Sequence, residues 1–345
     1  MSSPRYVLVT GATGFIGAHV VDVLLSRGLR VRGATRSAAK GEAMRAARPQ
    51  YQDKLDFVTI GDFGSTNAGE LAAAVKGVDG VIHVASPFTY DTTDNEKELI
   101  VPAINGVKAV LAAAAAVPDA TVKRVVVTSS FASVLDADRK DRANGVYFTY
   151  TGADWNPLTY AEAADKATGA VVAYRGSKKF AEQAAWDFVR ETAPPFDLVA
   201  LCPPMTFGPI AHPVATTANL NESNAMLWQV ASGATPLPVA RVPFWIDVRD
   251  LALAHVEALL RPAAGGQRYI PASPERFSYG RAAQIVVDHF DWAKASVTPE
   301  EQPVDESHGV DGAAAAQALG LKYRTFEQTV VDLITQAKTM PSNRG

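Results

Sequence analysis

The sequence predicts an α/β fold, a doubly wound parallel sheet with a smaller, irregular C-terminal lobe. Three observations carry that prediction. Apolar runs of strand length recur as far as Leu201, the stretches between them are long enough to hold helices, and from Pro203 onward prolines break the pattern. Strands that alternate with helices join in parallel, with the helices covering both faces of the sheet.

Tyr6 to Thr10 is the first strand, apolar without alternation, as burial on both faces requires. Ile16, Val20, Val23 and Leu24 then recur on one helical face, and Gly28 stops that helix. Arg30 to Thr35 reads as the second strand, and Leu55 to Ile60, Gly80 to Ala85, Val122 to Thr128 and Leu198 to Leu201 follow as further strands. Ala109 to Val117 is an apolar run stopped by Pro118, about half of what a bilayer span needs, and reads as a buried helix. Beyond Leu201, Pro203, Pro204, Pro209, Pro213, Pro236, Pro238 and Pro243 punctuate short segments. Val242 to Val248 and Arg268 to Ile270 read as strands able to rejoin the first sheet. The expected domains are therefore residues 1–202, with returns from about 242–272, and a lobe over 203–345. The Ala-rich stretch Gly312 to Leu319 reads as a helix that continues through Leu321 to near Gln336.

With 345 residues, 48% hydrophobic and 20% charged, the chain has the make-up of a folded globular protein able to bury a core. Its 33 basic and 36 acidic residues leave a formal charge of −3, which argues against a nucleic-acid or anionic-membrane surface. Cys202 is the sole cysteine, so no intramolecular disulfide or thiolate cluster can form and a reducing, cytoplasmic setting is expected. Met1 to Arg5 leads straight into the first strand, without the pattern of a secretion signal. His19, His83, His212, His255, His289 and His308 are scattered without an i, i+4 pair, so no metal site is expected.

Thr10-Gly11-Ala12-Thr13-Gly14-Phe15-Ile16-Gly17 joins the first strand to the first helix, where backbone N–H groups and the positive helix end face a pyrophosphate. Gly11 suits the tight turn, Gly14 the approach of a phosphate, and Gly17 close packing of helix on strand. The spacing is GxxGxxG rather than GxGxxG, and no Gly-Lys-Ser/Thr follows to make a P-loop. An NAD site wants an acid at the end of the second strand to bind the ribose 2′-hydroxyl. Here the strand ends Ala34-Thr35-Arg36-Ser37, with Lys40 close behind and the first acid only at Glu42. A guanidinium there pairs with a 2′-phosphate, so the expected cofactor is NADPH; the competing reading of Arg36 and Lys40 is a solvated basic helix start.

Of the ten tyrosines only Tyr174 has a lysine four residues on, in Tyr174-Arg175-Gly176-Ser177-Lys178. On a helix both side chains share a face, and an ammonium beside a phenol eases loss of its proton, making Tyr174 a general acid. Lys179 points about a quarter turn away and reads as a surface residue. Val125-Val126-Val127-Thr128-Ser129-Ser130 ends a buried strand in hydroxyls at the sheet's carboxyl edge, where doubly wound folds bind ligands. Ser130, or in second place Ser129, is expected to hold a carbonyl oxygen. Phe88 and Phe131, which follow the carboxyl ends of their strands, and Met205 are the expected substrate contacts. His83 reads as a satisfied core residue, and Asp247 with Asp250 as the N-terminal cap of the helix from Leu251.

Gly11 to Gly17, Ser130 and Tyr174-x-x-x-Lys178 together resemble the extended short-chain dehydrogenase/reductases, which have a Rossmann domain. Four further stretches are similar to the NADPH-dependent fungal aldehyde and methylglyoxal reductases, relatives of plant dihydroflavonol reductases: residues 83–88 (HVASPF), 102–107 (PAINGV), 177–186 (SKKFAEQAAW) and 246–250 (IDVRD). The resemblance implies hydride transfer from NADPH to an aldehyde or ketone, with Tyr174 as proton donor and Lys178 also binding the nicotinamide ribose. It implies that Thr13, Phe15, Ile16 and Ala85 join the glycines around the cofactor and that Arg36 and Lys40 hold the 2′-phosphate. It also implies that Asp62 and Phe63 lie by the adenine and that Thr206 and Ser223 line the cofactor's far side. Met205 stands where relatives often carry an aromatic residue over the substrate.

Two rival readings have distinguishing marks. A nucleotide-sugar epimerase or dehydratase uses the same Ser, Tyr and Lys, but its diphosphate substrate wants arginines in the second lobe, and Arg241 is the sole Lys or Arg between Arg190 and Arg249. A non-catalytic NADPH sensor could dispense with Tyr174 and Lys178. The expected partner is a small aldehyde or ketone, acting on a monomer or homodimer.

Overall fold

The computed structural model describes residues 5–61, 63, 68–86, 92–137, 139 and 147–341. The chain begins with β1 (Tyr6–Thr10), α1 (Phe15–Ser26), β2 (Arg30–Thr35), α2 (Ala38–Ala46), β3 (Leu55–Thr59), α3 (Ala68–Val75) and β4 (Gly80–His83). It continues with α4 (Val101–Ala115), β5 (Arg124–Thr128), β6 (Phe148–Tyr150), α5 (Tyr160–Ala164), α6 (Ala170–Thr192) and β7 (Asp197–Leu201). The remaining elements are β8 (Met205–Phe207), α7 (Glu222–Ala231), β9 (Trp245–Asp247), α8 (Val248–Leu260), β10 (Arg268–Tyr269), α9 (Tyr279–His289), β11 (His308–Val310), α10 (Gly312–Leu319) and α11 (Phe326–Lys338).

Seven strands form one parallel sheet in the order β3-β2-β1-β4-β5-β7-β10. The strand order reverses direction between β1 and β4, so the connections leave to opposite sides there and open a crevice at the carboxyl edge. β1 shows why its residues are apolar without alternation. Val7 and Val9 pack into the cluster under α1 and α8, while Leu8 packs into the opposite cluster under α3, α4 and α6. A third cluster, built from Leu227, Val230, Val286, Phe326 and Leu333 among others, binds α7, α9 and α11 into the second lobe.

Two expectations are corrected. Of the two late strands, only β10 rejoins the sheet, beside β7. β9 instead pairs with β8 as a separate two-stranded ribbon, because β10 already occupies the edge beside β7. α8 returns to pack on α1, within the stretch 242–272. The expected single C-terminal helix is two, divided where Gly320 takes a left-handed φ of 67° and Thr325 caps α11. The apolar run before Pro118 belongs to a longer helical stretch. Glu96–Ala115 is a helical stretch of 20 residues with mean hydropathy 1.5, long and apolar enough to cross a membrane. It lies instead on the sheet, with Val107, Val110, Leu111 and Ala114 buried against it.

Candidate active site

The crevice at the switch point opens into a cleft of about 1410 Å³ between the sheet's carboxyl edge and the second lobe. One end is the glycine turn. Gly11 has φ 66°, and a Cβ on Gly17 would overlap the carbonyl oxygen of Gly11, so the turn closes onto α1 only with glycine at both positions. Gly14 is the N-cap of α1 with no side-chain cap, which leaves the helix start open to a ligand. Thr13, Phe15, Ile16 and Ala85 line the same end, as do Arg36, Lys40 and Phe63. Arg36 and Lys40 are both exposed, on either side of Ser37, which caps α2. The set fits a dinucleotide carrying an extra phosphate: bare backbone for the pyrophosphate and two cations past β2. Asp62 and Phe88 lie outside the described residues.

α6 brings Tyr174 and Lys178 to the cleft beside the end of β5. The helix can approach because a Cβ on Gly176, between them in sequence, would collide with the Cβ of Ala163 on α5. Lys178 is 9% exposed, and its Nζ donates to Ser86 Oγ at 2.8 Å. Burial pushes its ammonium down to about 8, with Glu182 opposing. Its Nζ lies 5.8 Å from the centre of the Tyr174 ring. Lys179, expected at the surface, donates instead to the carbonyl of Leu158 at 2.6 Å.

Both candidate serines border the cleft, and their hydrogen bonds separate them. Ser129 is buried and donates to Glu182 Oε2 at 2.5 Å. Ser130 lines the cleft and accepts the N–H of Ala132 at 3.1 Å, leaving its own proton to donate. Phe131 also borders the cleft, but its ring is 3% exposed and packs edge-on to Tyr150 and Phe244, so it forms floor rather than a free contact. Met205, 38% exposed, stands on the opposite wall with Thr206 and Ser223. Ser223 Oγ donates to the Thr206 carbonyl at 2.5 Å, which ties α7 to β8.

Other residues resolve as structure. Asp247 caps α8 and binds Arg249 and Thr329, while Asp250 binds Arg324 and is raised to about 6 by burial. His83 is buried, bonds Thr10 through Nδ1 at 2.7 Å, and is held neutral by burial, which lowers it to about 4; its ring nonetheless borders the cleft. His255 Nδ1 donates to the Leu251 carbonyl, so its Nε2 accepts from Thr128 at the end of β5. No group of three or more metal-ligating side chains exists among the described residues.

Sequence reasoning missed two features. Ser86, the partner of Lys178, was signalled only by its place just past β4. Behind Ser129, Glu182 and Arg268 pair at 2.6 Å, both nearly buried, and Arg268 also donates to Ser133 at 2.9 Å. The i+4 step from Lys178 to Glu182 was the available signal.

Several known proteins are similar to this chain. Residues 7–271 match the NAD dependent epimerase/dehydratase family. An uncharacterized oxidoreductase of Schizosaccharomyces pombe is 38% identical over 335 residues, 96% of each chain. The NADPH-dependent methylglyoxal reductase GRE2 of Saccharomyces cerevisiae is 34% identical over 343 residues, covering 96% of this chain and 97% of that one. The crystal structure of yeast methylglyoxal/isovaleraldehyde reductase Gre2 complexed with NADPH superposes with a TM-score of 0.86 at 32% identity, over 96% of this chain and 98% of the other. With a family match over most of its length and relatives of this identity along nearly all of it, the chain belongs to the NAD dependent epimerase/dehydratase family.

Proposed function

We propose that this protein is an NADPH-dependent carbonyl reductase that converts small aldehydes or ketones to alcohols in a reducing, cytoplasmic setting. The observation that carries the reading is the convergence of Ser130, Tyr174 and a buried, tethered Lys178 on the cleft that begins at the glycine turn. The names of the similar reductases, and the NADPH in the solved relative, support it.

When bound, NADPH supplies the hydride. Ser130 donates its hydroxyl proton as a hydrogen bond to the carbonyl oxygen and orients it. Tyr174 gives its phenolic proton to that oxygen as negative charge develops there, and regains one from solvent afterwards. Lys178, fixed by Ser86, keeps positive charge beside the phenol and stabilises the phenolate that the transfer leaves. Arg36 and Lys40 hold the 2′-phosphate. The second lobe closes the far side with Met205, Met226, Val242 and Phe244, an apolar wall suited to the carbon chain of a carbonyl compound. Arg241, the one cation of residues 191–248, is exposed, too little for a diphosphate substrate.

The test is NADPH oxidation with methylglyoxal, an aliphatic aldehyde and an aryl ketone, run beside NADH and a Tyr174→Phe variant. Turnover that prefers NADPH and is lost in the variant is expected. A wild type that binds NADPH yet oxidises it with no carbonyl compound would overturn the reading.

A further inference from the structure

The loop between β6 and α5 sits outside the cleft, yet one of its side chains touches both halves of the proposed reaction centre. Asn156 is 1% exposed. Its Nδ2 donates to the carbonyl of Ala132 at 2.7 Å and to that of Arg175 at 3.1 Å, and its backbone N–H donates to the carbonyl of Ser133 at 2.9 Å. Ala132 belongs to the short turn that Ser130 caps, and Arg175 directly follows Tyr174 on α6. A single amide thus joins the turn that Ser130 caps to the stretch of α6 that carries Tyr174.

The loop is itself fixed to α6 on both sides. Arg268 donates to the carbonyls of Gly152 and Asp154, lies 3.9 Å over the Trp155 ring, and pairs with Glu182. Lys179 holds the carbonyl of Leu158. Asn156 sits between these tethers. Both protons of its amide face carbonyl oxygens, so an uncharged donor of this length is required; a carboxylate there would meet two acceptors with no proton to share. Its Oδ1 is buried without a donor among the described residues, so the amide is retained for what it donates.

We propose that Asn156 is a positioning residue, which sets the separation of Ser130 and Tyr174 by bridging the β5 turn to α6. The two groups reach the cleft from different elements, and a misplacement of about 1 Å costs roughly 10²-fold in rate. The inference rests on the reductase reading, and the experiment separates the two.

Full-length wild type, Asn156→Ala, Asn156→Asp, Ser130→Ala and the Asn156→Ala/Ser130→Ala double variant are compared for kcat, NADPH Kd by fluorescence, and Tm. Thr329→Val, which loses a buried hydroxyl bonded to Asp247 in the second lobe, serves as control. Asn156→Ala is expected to lower kcat roughly 10- to 100-fold, with Asn156→Asp at least as slow. NADPH Kd should stay within about twofold and Thr329→Val should keep kcat within about twofold. In the Ser130→Ala background the same change should cost clearly less, because the spacing no longer matters once the hydroxyl is gone. An Asn156→Ala kcat within about twofold of wild type, an equal loss in both backgrounds, or an NADPH Kd that rises in step with the loss overturns the proposal. If Asn156→Ala does not fold, Asn156→Ser carries the same comparison. A wild type without turnover overturns the reductase reading and this inference together, whereas an active wild type with indifferent variants overturns the inference alone.

Discussion

On the wall formed by β5 and α6, the polar side chains are held by partners: Lys178 by Ser86, Ser129 and Ser133 by Glu182, Glu182 by Arg268, and the Ser130 turn by Asn156. Across the cleft, Met205 is 38% and Val239 is 73% exposed, and nothing polar fixes either side chain. Directional bonds restrict a group to one geometry, while exposed apolar groups can repack around ligands of different shape. On the proposed function, the first wall serves one chemical step and the second the choice of substrate. Substitutions in the first should act on kcat, and those in the second on which carbonyl compound is preferred.

The sharpest way to break this contrast is Tyr174→Phe. Removing the proton donor while keeping the ring should lower kcat by about 10²- to 10⁴-fold with NADPH Kd nearly unchanged. A variant that keeps a tenth of wild-type kcat would mean that the proton comes from elsewhere. Glu182→Ala comes next, since it leaves Arg268 charged and unpaired at a site where both side chains are nearly buried. It should destabilise the fold by about 3 to 5 kcal/mol in denaturant titration, and a cost below about 1 kcal/mol would show that the pair is not what holds this wall.

Smaller effects extend the comparison to the cofactor end and the mouth. Arg36→Ala should weaken NADPH binding by about 1.5 to 3 kcal/mol, the range for a charged hydrogen bond, and leave NADH binding unchanged. Equal weakening of both would remove the 2′-phosphate contact. Lys178 is charged below its shifted value of about 8 and neutral above it. The charge is needed beside the phenol, so log kcat/KM should be flat on the acid side of that value and fall with a slope near −1 on the alkaline side. A profile still flat at pH 9.5 would contradict the tethered-lysine assignment. Met205→Ala should change the least: kcat for a short aldehyde stays within a few-fold, while the preference between long and short chains shifts by about 1 to 3 kcal/mol for each substrate methylene that the side chain no longer covers.

The parts of the site legible in the sequence are those whose residues lie within one element or one turn. Gly11 to Gly17, Tyr174 with Lys178, and the end of β5 are spaced by the period of a helix or by the length of a strand-to-helix turn. Arg36 was legible as the basic residue in a place where an acid is expected. The reason to rank Ser130 before Ser129 was not, because it depends on Glu182, 53 residues away, engaging the first hydroxyl. Nor was the burial of the Phe131 ring, which depends on its packing against Tyr150 and Phe244.

Periodicity and turn chemistry, read along the chain, were enough to predict the parallel α/β architecture, the glycine turn at a helix start, two cations just past β2 and the Tyr-Lys pair on one helix face. Each of these depends on residues a few positions apart, whose proximity is set by backbone geometry alone. Which sheet β9 joins, how α8 returns to the first layer, and the bridges from Asn156, Ser86 and Arg268 to the reaction centre needed the folded molecule. They bring together segments separated by tens of residues, and each outcome is a competition between partners that no local pattern ranks: β10 takes the sheet edge that β9 could have used, and a buried charge settles where the donors around it are most complete.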